Sequence, residues 1–112
     1  MGKPQEIANT LWAYATQGQS PGPGVVRGLE GRLLAAAWQC KPQEIANTLW
    51  AYAALGLTPK EGVLTELEAR LCLIQMDFCP ANKAKILWAY KTLALTVLPN
   101  VQTALRVCRL EN

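Results

Sequence analysis

The chain has 112 residues, enough for one small domain and too few for two. It is 51% hydrophobic and 17% charged, too apolar for a disordered tail and too sparsely charged for a coiled coil. The net charge of +3 marks neither a strong nucleic-acid binder nor an enzyme for acidic substrates.

Histidine is absent and Asp77 is the only aspartate. That removes the commonest general base, the commonest zinc ligand and every Ser-His or Cys-His pair. The chain therefore reads as a non-enzyme, with no cofactor, no metal and no small-molecule substrate. Its apolar runs fall short of a membrane span. Cys40, Cys72, Cys79 and Cys108 show no C-x-x-C spacing and read as reduced, mostly buried thiols.

An internal repeat dominates the chain. Residues 3–15 read KPQEIANTLWAYA, and residues 41–53 carry the same letters at an offset of 38. A second step of 38 lands on CPANKAKILWAYK at 79–91, with Trp12, Trp50 and Trp88 in register and Tyr14, Tyr52 and Tyr90 likewise. The units are repeat 1 (3–40), repeat 2 (41–78) and repeat 3 (79–112, incomplete), in one array over 3–112. A fixed period of this size signals a stacked array.

Each unit reads as helix-turn-helix. In the first segment Ile7, Leu11, Tyr14 and Ala15 recur at helical spacing, with Ala8 and Trp12 beside them. Pro4, Pro42 and Pro80 suit the first helical position, where a missing N–H costs nothing. Glu6 and Glu44 sit in the first turn, where the helix dipole favours negative charge. Gly18 and Gly56 fit the left-handed residue that ends a helix.

The second segments span roughly 24–38, 60–76 and 99–110, with Ser20-Pro21, Thr58-Pro59 and Thr96 in N-cap positions and Glu61 completing a capping box. Their apolar stripes are Val26, Leu29, Leu33 and Ala36, then Leu64, Leu67, Leu71 and Ile74, then Val101, Leu105 and Cys108. The expected fold is all-α, an α-solenoid of three 38-residue helix-turn-helix repeats with about six helices in two layers. The tryptophans and tyrosines read as packing residues. The alternative for Trp12, Trp50 and Trp88 is a stacking platform for bases. Repeat 1 lacks the polar outer face of a terminal repeat, so an apolar strip around Ile7 and Leu11 is expected at its flank. In repeat 3, Lys83 and Lys91 replace apolar residues. The chain then reads as a piece of a longer array, or as one that covers this end by self-association.

The period of 38 and the strings PQEIANTLWAYATQG (4–18), PQEIANTLWAYAALG (42–56) and PANKAKILWAYKTLA (80–94) resemble the octotricopeptide repeat family. They are also similar to the helical region that precedes RAP domains. The resemblance covers essentially the whole chain and is sharp in two units. It implies sequence-dependent binding of single-stranded RNA, about one nucleotide per repeat, in organelle RNA stability, processing or translation. It implies a chloroplast or mitochondrial location, although no Arg- and Ser-rich transit segment stands ahead of the first repeat.

Helical-repeat RNA readers address one base per repeat with two or three side chains. On the first helices the residues opposite the apolar stripe are Gln5, Glu6 and Asn9, then Gln43, Glu44 and Asn47, then Asn82 and Lys85. Amides offer a base edge both donor and acceptor, so these are the base-reading candidates. Two structural readings compete: Glu6 and Glu44 as dipole partners, and Asn9 and Asn47 as an inter-repeat hydrogen-bond ladder.

The repeats carry net charges of +1, −2 and +4 in order. The phosphate candidates are Lys3, Lys41, Lys83, Lys91 and Arg106. Base contacts are worth roughly 1–3 kcal/mol each, so three repeats imply weak binding alone. The competing function is a protein-protein interaction scaffold on the same solenoid, with protein partners or further repeats as occupants. Phosphate contacts weaken steeply with salt and would separate the two.

Overall fold

A computed structural model describes residues 3–106. Among the described residues there are six α-helices: α1 (Pro4–Gln17), α2 (Pro23–Ala36), α3 (Pro42–Leu55), α4 (Glu61–Leu73), α5 (Pro80–Thr92) and α6 (Pro99–Arg106). Single 3₁₀ turns follow α2 at Ala37–Gln39 and α4 at Gln75–Asp77. The first helices α1, α3 and α5 pack side by side in one layer, and α2, α4 and α6 form the second. The array measures 45 × 26 × 22 Å. This is the expected all-α arrangement of stacked helical hairpins. Cys108 and the end of the last stripe lie outside the described residues.

Local chemistry sets the ends of the first helices. Pro4, Pro42 and Pro80 each open one. Gly18 (φ 68°) and Gly56 (φ 70°) close α1 and α3 in the left-handed region. Paired backbone bonds seal each end: Gly56 N–H to the Ala53 carbonyl at 3.0 Å, and Leu57 N–H to that of Tyr52 at 2.9 Å. The third copy keeps the motif without the glycine. Ala94 adopts φ 55°, and Leu95 N–H still reaches the Tyr90 carbonyl at 2.8 Å. A side chain there costs roughly 1–2 kcal/mol.

The second helices start within a residue of the bounds read from the sequence, at 23, 61 and 99, but the Ser/Thr-Pro residues ahead of them are not their caps. The N-cap residues are Gly22 and Lys60, neither capped by a side chain of its own, and α6 opens at Pro99 beyond Thr96. For α4 the physical reason is visible. The carboxylate of Glu30, in the preceding repeat, accepts the Lys60 N–H at 3.1 Å. It does what Thr58 was expected to do.

Glu30 is buried, and the same carboxylate oxygen accepts the Tyr52 hydroxyl at 3.0 Å. One period later Glu68, also buried, accepts the Tyr90 hydroxyl at 2.5 Å. Each bond joins the second helix of one repeat to the first helix of the next. A hydrogen bond to a charged group is worth about 1.5–3 kcal/mol, and removing the donor strands a buried carboxylate. Around these bonds Ile45, Leu49, Leu67, Leu71 and Ile86 form one continuous core.

Ile7 and Leu11, expected as an exposed strip, are instead buried in that core. The side of α1 left open lies further round the helix, at Thr10, Ala13 and Gln17, with Tyr14 half-buried. The tyrosines of the later repeats are packing residues, as expected. The tryptophans are so only in part, since Trp12 is 37% and Trp88 43% exposed. Nor are the thiols mostly buried: Cys40 is buried, Cys72 half-buried and Cys79 exposed.

Burial first, and then the adjoining carboxylate, hold the phenols of Tyr52 and Tyr90 far above their ordinary value. An unfolded tyrosine loses its proton near pH 10 (about its free pKa), whereas the folded chain keeps both neutral beyond that. Unfolding at alkaline pH therefore releases protons. Stability fully present below about pH 10 is lost as pH rises further. We expect the urea midpoint to fall steeply above about pH 10. A Tyr52→Phe, Tyr90→Phe double variant should be less stable at neutral pH and lose most of that steepness, the remainder coming from the raised Cys40 thiol. An unchanged alkaline slope in the double variant would contradict this reading.

Candidate nucleic-acid interface

Parallel packing brings the N-terminal ends of α1, α3 and α5 to one side of the array. A groove of about 450 Å³ opens there. Gln5, Ala8 and Asn9 of α1 line it, with Gln43, Glu44 and Asn47 of α3 and Asn82 of α5. Lys41, Asp77 and Cys79 border it from the turns that precede α3 and α5. Three repeats thus contribute amides to one surface, which offers donors and acceptors at the size of a small-ligand site.

Lys85 joins this group through Asn47, donating from Nζ to its Oδ1 at 3.0 Å. Position 85 is the register equivalent of 47, so this bond is a rung between repeats, but among the described residues the expected rung between Asn9 and Asn47 is not made. The Lys85 ammonium also lies 5.5 Å from the ring centre of Trp12, within cation–π range.

The tryptophans run alongside. Trp12 and Trp50 have ring centres 4.5 Å apart with planes inclined at 33°, and Trp50 and Trp88 are 6.1 Å apart at 30°. These spacings are ordinary for interacting aromatic pairs. Trp12 and Trp50 leave no room for a base between them. The exposed parts of Trp12 and Trp88 do present ring surface beside the amide row.

Identical first helices place the same residue in different surroundings. Glu44 is half-buried at the groove, and its Oε1 accepts the Lys41 N–H at 2.8 Å. It acts as a helix cap while bordering the groove. Glu6 is exposed and does not line the groove. The basic candidates are dispersed. Lys41 borders the groove, and Lys3 is exposed at the start of α1. Lys83 is half-buried and engaged in other contacts, and Lys91 sits in the last turn of α5. Arg106 is exposed in the second layer, away from the groove.

Sequence reasoning passed over Asp77 and Cys79, and set the tryptophans apart from the amides. The signal for the latter was present. Trp12 follows Asn9 by three residues, which places both on neighbouring faces of one helix. Asp77 and Cys79 carried no such signal, because turns are not phased by helical spacing.

Cys40 and Cys79, each in the turn ahead of a first helix, differ in chemistry. Burial, and then the Glu44 charge, push the Cys40 thiol up to about 11. Thiolate is the reactive form, so Cys40 is protected by both access and charge. We expect iodoacetamide at pH 8 to alkylate Cys79 at least about tenfold faster than Cys40, as read by peptide mapping. Comparable rates would show that the turn between α2 and α3 opens in solution.

No curated protein and no solved structure matches the chain. The family model described as Tbc2 translation factor, N-terminal domain, matches residues 23–110, from the start of α2 into the third repeat. The chain carrying this groove and its row of tryptophans belongs to the Tbc2 translation factor N-terminal-domain family.

Proposed function

We propose that the chain binds single-stranded RNA through the groove at the N-terminal ends of its first helices, as an octotricopeptide-type array. Its role would be in an organelle, chloroplast or mitochondrion, serving translation or the stability and processing of transcripts. The family description, a translation factor, supports an RNA-related role. The observation that carries the reading is the convergence of Gln5, Asn9, Gln43, Asn47 and Asn82 from three repeats beside partly exposed tryptophans.

The chemistry of the groove suits base edges better than phosphates. Glu44 and Asp77 are acceptors there, and repel a phosphate while taking hydrogen bonds from exocyclic amines. The amides accept and donate. Phosphates would lie at the groove's border, near Lys41, and beyond it toward Lys3. The action is binding without a chemical step: masking, stabilising or presenting a transcript.

A second reading, a protein-interaction scaffold, draws on the large apolar side chains exposed in the second layer and its turns. Leu34, Trp38, Leu73 and Met76 are the examples. Those residues lie away from the amide groove, so variants separate the two readings.

The test is a tryptophan-fluorescence titration with short single-stranded RNAs of each base, at low and moderate salt, with duplex RNA and single-stranded DNA as controls. We expect saturable binding that prefers one base and weakens with salt. Gln43→Ala or Asn47→Ala should weaken it about tenfold, in line with roughly 1–3 kcal/mol per base contact. Equal binding of duplex RNA, or indifference to both substitutions, would refute the assignment. Salt-independent capture of a protein lost on Trp38→Ser would favour the scaffold.

A further inference from the structure

Each internal boundary of the array is closed by the same pair of residues, a glutamate on the second helix of one repeat and a tyrosine on the first helix of the next. Glu30 meets Tyr52, and Glu68 meets Tyr90. The equivalent tyrosine of repeat 1, Tyr14, is half-buried, and none of the described residues gives its hydroxyl a hydrogen bond.

The rest of that face is also built like an internal boundary that has not been covered. Thr10 and Ala13 are exposed, whereas their equivalents Thr48 and Ala51 are buried against repeat 1. Val25 is 42% exposed and its equivalent Val63 only 1%. Arg32 is exposed, whereas its equivalent Arg70 donates from Nε to the Cys40 carbonyl of the preceding repeat at 2.9 Å. Two adjoining hollows mark the surface. One, of about 440 Å³, is lined by Thr10, Ala13, Tyr14 and Gln17 among others. The other, of about 310 Å³, includes Thr10, Val25, Leu29 and Arg32.

We propose that this face docks one more helical hairpin of the same kind, whose second helix carries a glutamate at the position of Glu30 and Glu68. Its carboxylate accepts the Tyr14 hydroxyl, and the carbonyl that closes its last turn accepts from Arg32. A second copy of this chain does not fit, because the equivalent position in repeat 3 is Arg106. A guanidinium has no lone pair for a phenol to donate to. The pairing rule is therefore directional: the first repeat offers a tyrosine, and the third offers no acceptor. This assignment is independent of RNA binding.

The test adds a copy of residues 3–40 directly ahead of Lys3, which reproduces the natural Cys40–Lys41 junction. Thermal melting is compared with that of the 112-residue chain, each with and without Tyr14→Phe. We expect Tyr14→Phe to lower the melting temperature of the extended chain by about 5 °C or more, and to move the original chain by no more than about 1 °C. Glu30→Arg in the added copy alone should remove the Tyr14 dependence. Should that variant unfold the added repeat, Glu30→Gln keeps the shape with a neutral acceptor and should give a partial loss.

Equal effects of Tyr14→Phe in both backgrounds, or none in either, would overturn the proposal. So would sedimentation showing that the original chain dimerises and that Tyr14→Phe abolishes the dimer, since the occupant would then be a second copy.

Discussion

The structure depends on a buried hydrogen bond between a tyrosine and a glutamate that belong to different repeats. Glu30 is removed from water with Tyr52, and Glu68 with Tyr90. A carboxylate in such a place is stable only while its donors stay in position. The bond therefore does more than add stability. It fixes how far one hairpin turns and slides against the next, which apolar contacts alone specify loosely because they lack direction. Glu30 tightens this further by capping Lys60, tying both helices of repeat 2 to repeat 1.

The candidate interface follows from that register. Once the hairpins are locked, α1, α3 and α5 run parallel, and residues at the same position form rows across the array. Gln5 and Gln43 make one row, and Asn9, Asn47 and Lys85 make another that is joined at its last step by a hydrogen bond. Trp12, Trp50 and Trp88 make the third. A one-residue step of any helix would turn its amides by about 100° and break all three rows. The same geometry explains how identical helices acquire different jobs. Glu44 lines the groove and caps its helix, whereas Glu6 is exposed and off the groove.

Much of the fold was legible in the sequence because the signals that set it are local. The prolines at 4, 42 and 80 and the glycines at 18 and 56 act through their own backbones, and the structure uses them as read. The repeat identity implied stacking directly. Glu30 was opaque for the opposite reason. A glutamate on a helix reads as a solvated charge, and its partner Tyr52 lies 22 residues on in another repeat. The missed cap of α4 shares that cause, since it comes from Glu30, outside the helix's own sequence. The amide row of the site was legible from helical phase. Its acidic and cysteine border was not, because Asp77 and Cys79 arrive through a turn.

The central claim is that one face of the first-helix layer, amides beside tryptophans, is where single-stranded RNA lies. Ultraviolet cross-linking of a short single-stranded RNA to the whole chain, mapped by mass spectrometry, tests it most directly. The account predicts adducts at Trp12, Trp50, Trp88 or Cys79, lost when unlabelled single-stranded RNA is added in excess. Adducts confined to the opposite layer, at Trp38, Cys72 or Met76, would contradict it.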